Sequence, residues 1–342
     1  MSTPRLPELA ELEALIAEAP PLLRARVVCE ARLGAQRFPV HALSLGSEDP
    51  AAPAVGFFGG VHGLERIGAE VVLAYLRSLV KRLAWDAVLH QQLQSLRLVF
   101  MPLVNPVGLW LGTRANGNGV DLMRNAPVEA REPVPFMIGG QRLSPRLPWY
   151  RGAEGAAMEV ESAALCALVQ DELLGRPFSL AIDCHSGFGA RDRIWFPHAH
   201  TAEPIEHLPE LHALHRIFEQ SHVHHQYVFE PQSQQYLTHG DLWDHLYLQA
   251  AADPHGLFLP LTLEMGSWLW IKKNPRQLFQ RHGIFNPLIG HRQQRVMRRH
   301  LSLLDFFTRA ASSHPQWLPG TGEREEHRRL ARKHWYQRPG PR

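Results

Sequence analysis

Cysteine is scarce. The chain has three in 342 residues, Cys29, Cys166 and Cys184, with no close pair among them. That excludes a cysteine zinc ribbon and a dense disulfide framework. Long apolar runs are also missing, and no stretch reaches the roughly 18 uninterrupted apolar residues of a membrane span. An excess of one charge is nearly absent: 36 Lys+Arg stand against 33 Asp+Glu, for a net of +3. The body of the chain therefore lacks the basic footprint of a nucleic-acid binder. Residues 1–25 are acidic and interrupted by proline, with no basic start leading into an apolar stretch, so no secretion signal is readable. A cytoplasmic setting follows as the expectation, with no nucleic-acid and no membrane partner.

What remains is apolar enough to fold, at 45% hydrophobic residues, and long enough to bury a large core. Histidine is the compositional excess, with 21 residues, which directs attention to metal chemistry. Leucine and valine spacing predicts helices over 7–19, 67–82, 158–174, 204–222, 240–252 and 288–310. Short apolar runs predict strands over 26–33, 38–45, 54–60, 96–101, 178–183 and 257–264, with Pro260 an objection to a central place for the last. Such alternation argues an α/β fold, a mixed and mostly parallel twisted sheet sandwiched between helices. Residues 1–318 are expected to form one domain. Residues 319–342 carry seven Lys or Arg and three acids, and read as a basic tail, mobile or a peripheral helix.

In sheets of this kind, ligands bind at the carboxyl ends of the strands, and three predicted strands end in reactive residues. One runs into His62-Gly63-Leu64-Glu65, one through Cys184 into His185-Ser186-Gly187, and one ends at Glu264. Two histidines and a glutamate make a catalytic zinc set that leaves a fourth position for water. His-x-x-Glu alone is weak, because it occurs three times, at His62/Glu65, His200/Glu203 and His207/Glu210. Only the first follows a buried strand that ends in glycine. Rival chemistries fail on geometry. Cys184 and His185 are adjacent on a strand and point to opposite faces. Ser186 has Cys184 where a Gly-x-Ser-x-Gly elbow needs glycine. The His222-Val223-His224-His225 run reads as a surface helix cap.

Between the first and second ligand groups lie Asn105-Pro106-Val107-Gly108, then Thr113-Arg114, then Gly119-Val120-Asp121-Leu122-Met123-Arg124-Asn125. This ordered set, over about residues 55–266, resembles the zinc metallocarboxypeptidases of the carboxypeptidase A/B type, in a bacterial-type form with one catalytic domain. The resemblance implies one Zn2+ per chain, held by His62, Glu65 and His185. It implies Glu264 as general base and Arg114 as the stabiliser of the developing oxyanion. Arg124 would grip the substrate's terminal carboxylate, and Asp121 would orient the first zinc histidine. Tyr236 heads a segment similar to the family's mobile tyrosine stretch, and Asp241 falls where the specificity pocket is shaped. Met123 departs from the pattern, which has asparagine before this arginine. A thioether cannot replace an amide N–H, which leaves Arg124 with Asn125, or another group, to hold the carboxylate. The expectation is thus a zinc hydrolase that removes a C-terminal amino acid from a peptide. The alternatives are an amidase or deacylase acting on an acyl amino acid or cell-wall peptide, and a catalytically silent binding module.

Overall fold

A computed structural model describes residues 6–252, 256–280 and 282–337. Eight strands form one sheet: β1 (Arg24–Leu33), β2 (Gln36–Gly46), β3 (Ala54–Gly59), β4 (Arg97–Met101), β5 (Phe178–Ser186), β6 (Arg193–Phe196), β7 (Val228–Pro231) and β8 (Leu257–Met265). The helices are α1 (Pro7–Glu18), α2 (Arg66–Arg82), α3 (Ala87–Leu93), α4 (Pro106–Leu111), α5 (Val160–Glu172), α6 (Leu208–Ser221), α7 (Leu242–Ala251), α8 (Trp268–Lys273), α9 (Gly290–Ser312), α10 (His314–Trp317) and α11 (Thr321–Ala331). No helix among the described residues is long and apolar enough to cross a membrane.

The strand order is β1-β2-β4-β3-β5-β8-β6-β7. The central ladder from β4 through β3 and β5 to β8 is parallel, and β6 joins β8 antiparallel. Every residue of β3, β4 and β5 is buried, as expected of strands covered on both faces. Successive side chains take opposite faces. Phe57 and Phe100 enter one apolar cluster with α2 and α9, whereas Phe58 and Met101 enter the other with α5 and α7. The helix α2 buries Ile67, Val71, Val72, Tyr75, Leu76 and Leu79, a stripe at helical spacing that packs onto this sheet.

This ladder positions the chemistry. Gly59 pairs with Cys184, and His185 pairs with Glu264, so the reactive ends of three neighbouring strands lie side by side. Pro260 is tolerated because β6 pairs β8 only over Thr262–Glu264, leaving one flank of the strand free of a neighbour at the proline. The strand expected over 178–183 continues to Ser186, which puts His185 on the strand itself. The basic segment expected as a tail forms α11, packed against α6. Beyond it, Trp335 is buried, its ring 4.8 Å from that of Phe196 and its indole N–H donating to the Phe229 carbonyl at 2.7 Å. Residues 338–342 lie outside the described residues.

Candidate metal centre

His62 and Glu65 sit in the turn between β3 and α2, which packs closely because Gly63 within it and Gly68 in the first turn of α2 have no side chain. A Cβ on Gly63 would meet the Gly108 carbonyl carbon at 1.9 Å, and one on Gly68 the Cys184 oxygen at 2.1 Å. Asn286, far along the chain, pins the turn: it accepts from Ile67 N at 2.9 Å and donates to the Leu64 carbonyl at 2.8 Å. The turn thereby meets His185 on β5. The His62 and His185 rings are 5.0 Å apart, and His185 Nδ1 lies 3.1 Å from Glu65 Oε2, which also accepts from Ser186 N at 2.9 Å. One ligand atom from each of His62, Glu65 and His185 falls within a 4.8 Å cluster, and all three residues are buried. Glu264 faces the same space from β8 and accepts from Phe188 N at 2.9 Å.

The donor set fits a divalent metal. Arg114 lies against it, its guanidinium 2.7 Å from His62 Nε2 and 3.4 Å from Glu65 Oε1. Because a guanidinium only donates, His62 Nε2 is the acceptor. In the neutral ring the proton then sits on Nδ1, on the side of Asp121 Oδ1 at 3.6 Å. A metal would take the Nε2 lone pair in place of the Arg114 donor, while Nδ1 is buried without a hydrogen-bond partner, with Asp121 the nearest carboxylate. Burial, and then the Arg114 charge, hold His62 well below its usual range. Burial opposes the charged form of His185 too, but Asp183 and Glu65 outweigh it and raise that ring. Burial and the nearby Glu65 carboxylate push Glu264 up to about 8.

A family model described as zinc carboxypeptidase matches residues 31–265. The chain belongs to the zinc carboxypeptidase family. Among curated relatives, carboxypeptidase SOL1 of Arabidopsis thaliana is 31% identical over 93 residues, which cover 26% of this chain and 19% of that protein. Carboxypeptidase E of Caenorhabditis elegans is 34% identical over 95 residues, covering 24% and 20%. The matched stretches thus span about a fifth of those relatives' length. Among solved structures, thrombin-activatable fibrinolysis inhibitor superposes with a TM-score of 0.65 at 17% identity, covering 88% of this chain and 72% of that one. Carboxypeptidase A from Helicoverpa armigera gives 0.57 at 16%, covering 86% and 71%. At such identities the likeness carries the fold.

Within this zinc carboxypeptidase fold the remaining motif residues divide. Asp121 binds Arg114 Nε at 2.7 Å, so it orients the arginine as well as facing His62. Arg124 is buried, donates to the Ile138 and Met123 carbonyls at 3.4 and 3.3 Å, and places its charge near Tyr236, where it opposes the burial that raises the Tyr236 hydroxyl. Tyr236 packs its ring near Phe188 and Trp195. Asn125, expected beside Arg124 at a substrate carboxylate, is held by the backbone. Its amide donates to the Arg151 carbonyl at 3.0 Å and its oxygen accepts from Glu159 N at 2.6 Å, so both ends brace the loop. Met123 is buried within an apolar cluster. Asp241 caps α7, its Oδ1 accepting from Trp243 N and Asp244 N, while Oδ2 is buried without a partner. Residues without a motif also matter. Asp183 Oδ2 lies 2.6 Å from His185 Nε2 and accepts the Trp243 indole N–H at 2.9 Å. Spacing was the available signal, since residues two apart on a strand share a face.

Proposed function

We propose that this chain hydrolyses the C-terminal peptide bond of a peptide, with one zinc held by His62, Glu65 and His185 and with Glu264 as general base. The observation that supports this most is the register His185↔Glu264, which sets an acid beside the metal ligands with its carboxylate turned to the same space. A bound zinc supplies Lewis-acid polarisation of the scissile carbonyl and acidification of a water molecule. Glu264 takes the proton of the attacking water and returns it to the leaving amine. Its backbone donor, Phe188 N, fixes one carboxylate oxygen and leaves the other for the proton. Arg114, oriented by Asp121, offers guanidinium protons to the oxygen on which negative charge develops. Arg124 presents a planar fork suited to a terminal carboxylate, and the Tyr236 hydroxyl beside it hydrogen-bonds the scissile amide.

One observation favours a second reading. With Met123 in the apolar cluster and Asn125 held to the backbone through both its oxygen and one amide hydrogen, the clamp beside Arg124 lacks the amide that an asparagine at position 123 would supply. An amidase or deacylase acting on an acyl amino acid or a cell-wall peptide makes less demand on that clamp. The test is a panel of zinc-loaded reactions on blocked peptides differing in their last residue and on N-acyl amino acids. We expect release of the free C-terminal amino acid, with Glu264→Gln reducing the rate by about 10²–10⁴-fold. Acyl release without peptide trimming would replace the first reading by the second. Glu264→Gln at wild-type rate would overturn both.

A further inference from the structure

Positive charge gathers in a cavity separate from the metal cluster. The cavity, about 420 Å3, is bordered by the first turns of α9, by α8 and by the segment leading into β6. Arg191, Lys273, Arg292, Arg295 and Arg299 line it against one carboxylate, Asp192, giving a local net of +4. The whole chain carries +3, so everything outside this cavity sums to −1. Some arginines elsewhere on the surface have acidic partners, as Arg77 has Glu11 and Arg37 has Glu30. Here Arg299 takes Asp192, and Asp192 is further committed to Gly266 N at 2.9 Å. Arg292 binds only neutral acceptors, the Trp270 carbonyl at 3.1 Å and Gln277 Oε1 at 3.2 Å. Arg191, Lys273 and Arg295 form no ion pair among the described residues. The N-terminal end of α9, which has no side-chain cap, adds the positive end of a 23-residue helix to the same place.

We propose that this cavity binds a small multivalent oxyanion, an oligophosphate or a polycarboxylate, through Arg191, Lys273, Arg292 and Arg295. A guanidinium fork grips two oxygens of either anion, and the lysine adds a mobile point charge. A local charge of +4 is matched by a ligand of several negative charges and poorly by a monoanion. The volume lies within the roughly 300–1,000 Å3 typical of small-molecule sites. Low-dielectric walls of Trp270 and Val296 concentrate the field over the opening. The inference is independent of the catalytic reading.

Calorimetric titration of the full-length protein with inorganic triphosphate, and separately with citrate, tests it. We expect saturable one-to-one binding of at least one anion, weakened by rising salt. The double variant Lys273→Glu/Arg295→Glu should weaken it at least tenfold, while Arg37→Glu on β2 leaves it unchanged. Triphosphate alone binding assigns an oligophosphate, citrate alone a polycarboxylate, and both assign a site that reads charge. Should the double variant not fold, Lys273→Gln/Arg295→Gln tests the same charges. The proposal is overturned if neither anion saturates. It is equally overturned if binding persists in the charge-altered variants, which would put the anion elsewhere, the metal ligands included.

Discussion

A fully buried carboxylate is costly unless its oxygens are occupied, and Asp183 shows how this chain uses one. Its Oδ2 meets the His185 ring and the Trp243 indole while Oδ1 is buried without a partner, and the Oδ2 contact fixes the ring plane and directs Nδ1 toward Glu65 and the cluster. Partners of this kind tune metal affinity through the ligand they hold. Asp183→Asn should weaken zinc binding by about 10–100-fold in a competition titration, with little change in far-UV circular dichroism. An unchanged affinity would reduce Asp183 to a packing residue. At this scale the sequence was legible where a motif marked the residue: His62, Glu65, His185 and Glu264 occupy one space in the fold. Asp183 had only its spacing to betray it. Asn286 had nothing, since the Ile67 amide that it receives lies 219 residues away. For Asn125 the motif names a residue type and says nothing of which backbone groups will claim its amide.

The elements depend on close approach at the turn that carries the first two ligands. Gly68 lets α2 lie against the backbone of β5, with no room for a methyl group beside Cys184 O. Gly68→Ala should therefore lift the N-terminal end of α2, costing about 1–3 kcal/mol of stability and moving Glu65 away from His185. Urea denaturation with parallel zinc titration reads both effects; a variant that keeps stability and affinity would show that the turn yields freely. The central strands and α2 were legible as elements because burial on both faces, or on one stripe, imposes a run or a period on the sequence. The four-residue strands β6 and β7 were not. Four residues show neither pattern, and those strands exist because β8 offers β6 an edge. The extension of β5 to His185 and Ser186 has the same origin, since polar residues are held in the ladder by pairing with Glu264 and Met265.

For the molecule as a whole, the C-terminal segment and the histidines set stability. Trp335 closes the sheet edge over Phe196 and Phe229, so Trp335→Ala should cost about 3–5 kcal/mol in chemical denaturation. A loss below about 1 kcal/mol would mean that α11 is an ornament on a core complete without it. Burial holds His212, His215 and His300 down to about 4, from an ordinary value of 6.5. The unfolded chain binds these protons near pH 6.5 and the folded chain does not. The stability they contribute is thus fully present above about 6.5 and is lost as the pH falls toward 4. The denaturation midpoint should decline across that window and be flat above it with respect to these groups. The central claim, a metal held by three residues from two neighbouring strand ends, is tested most directly by zinc content per folded chain. The account predicts one zinc in the wild-type protein, and its loss in His62→Ala, Glu65→Ala and His185→Ala. Full zinc occupancy in all three variants would contradict it.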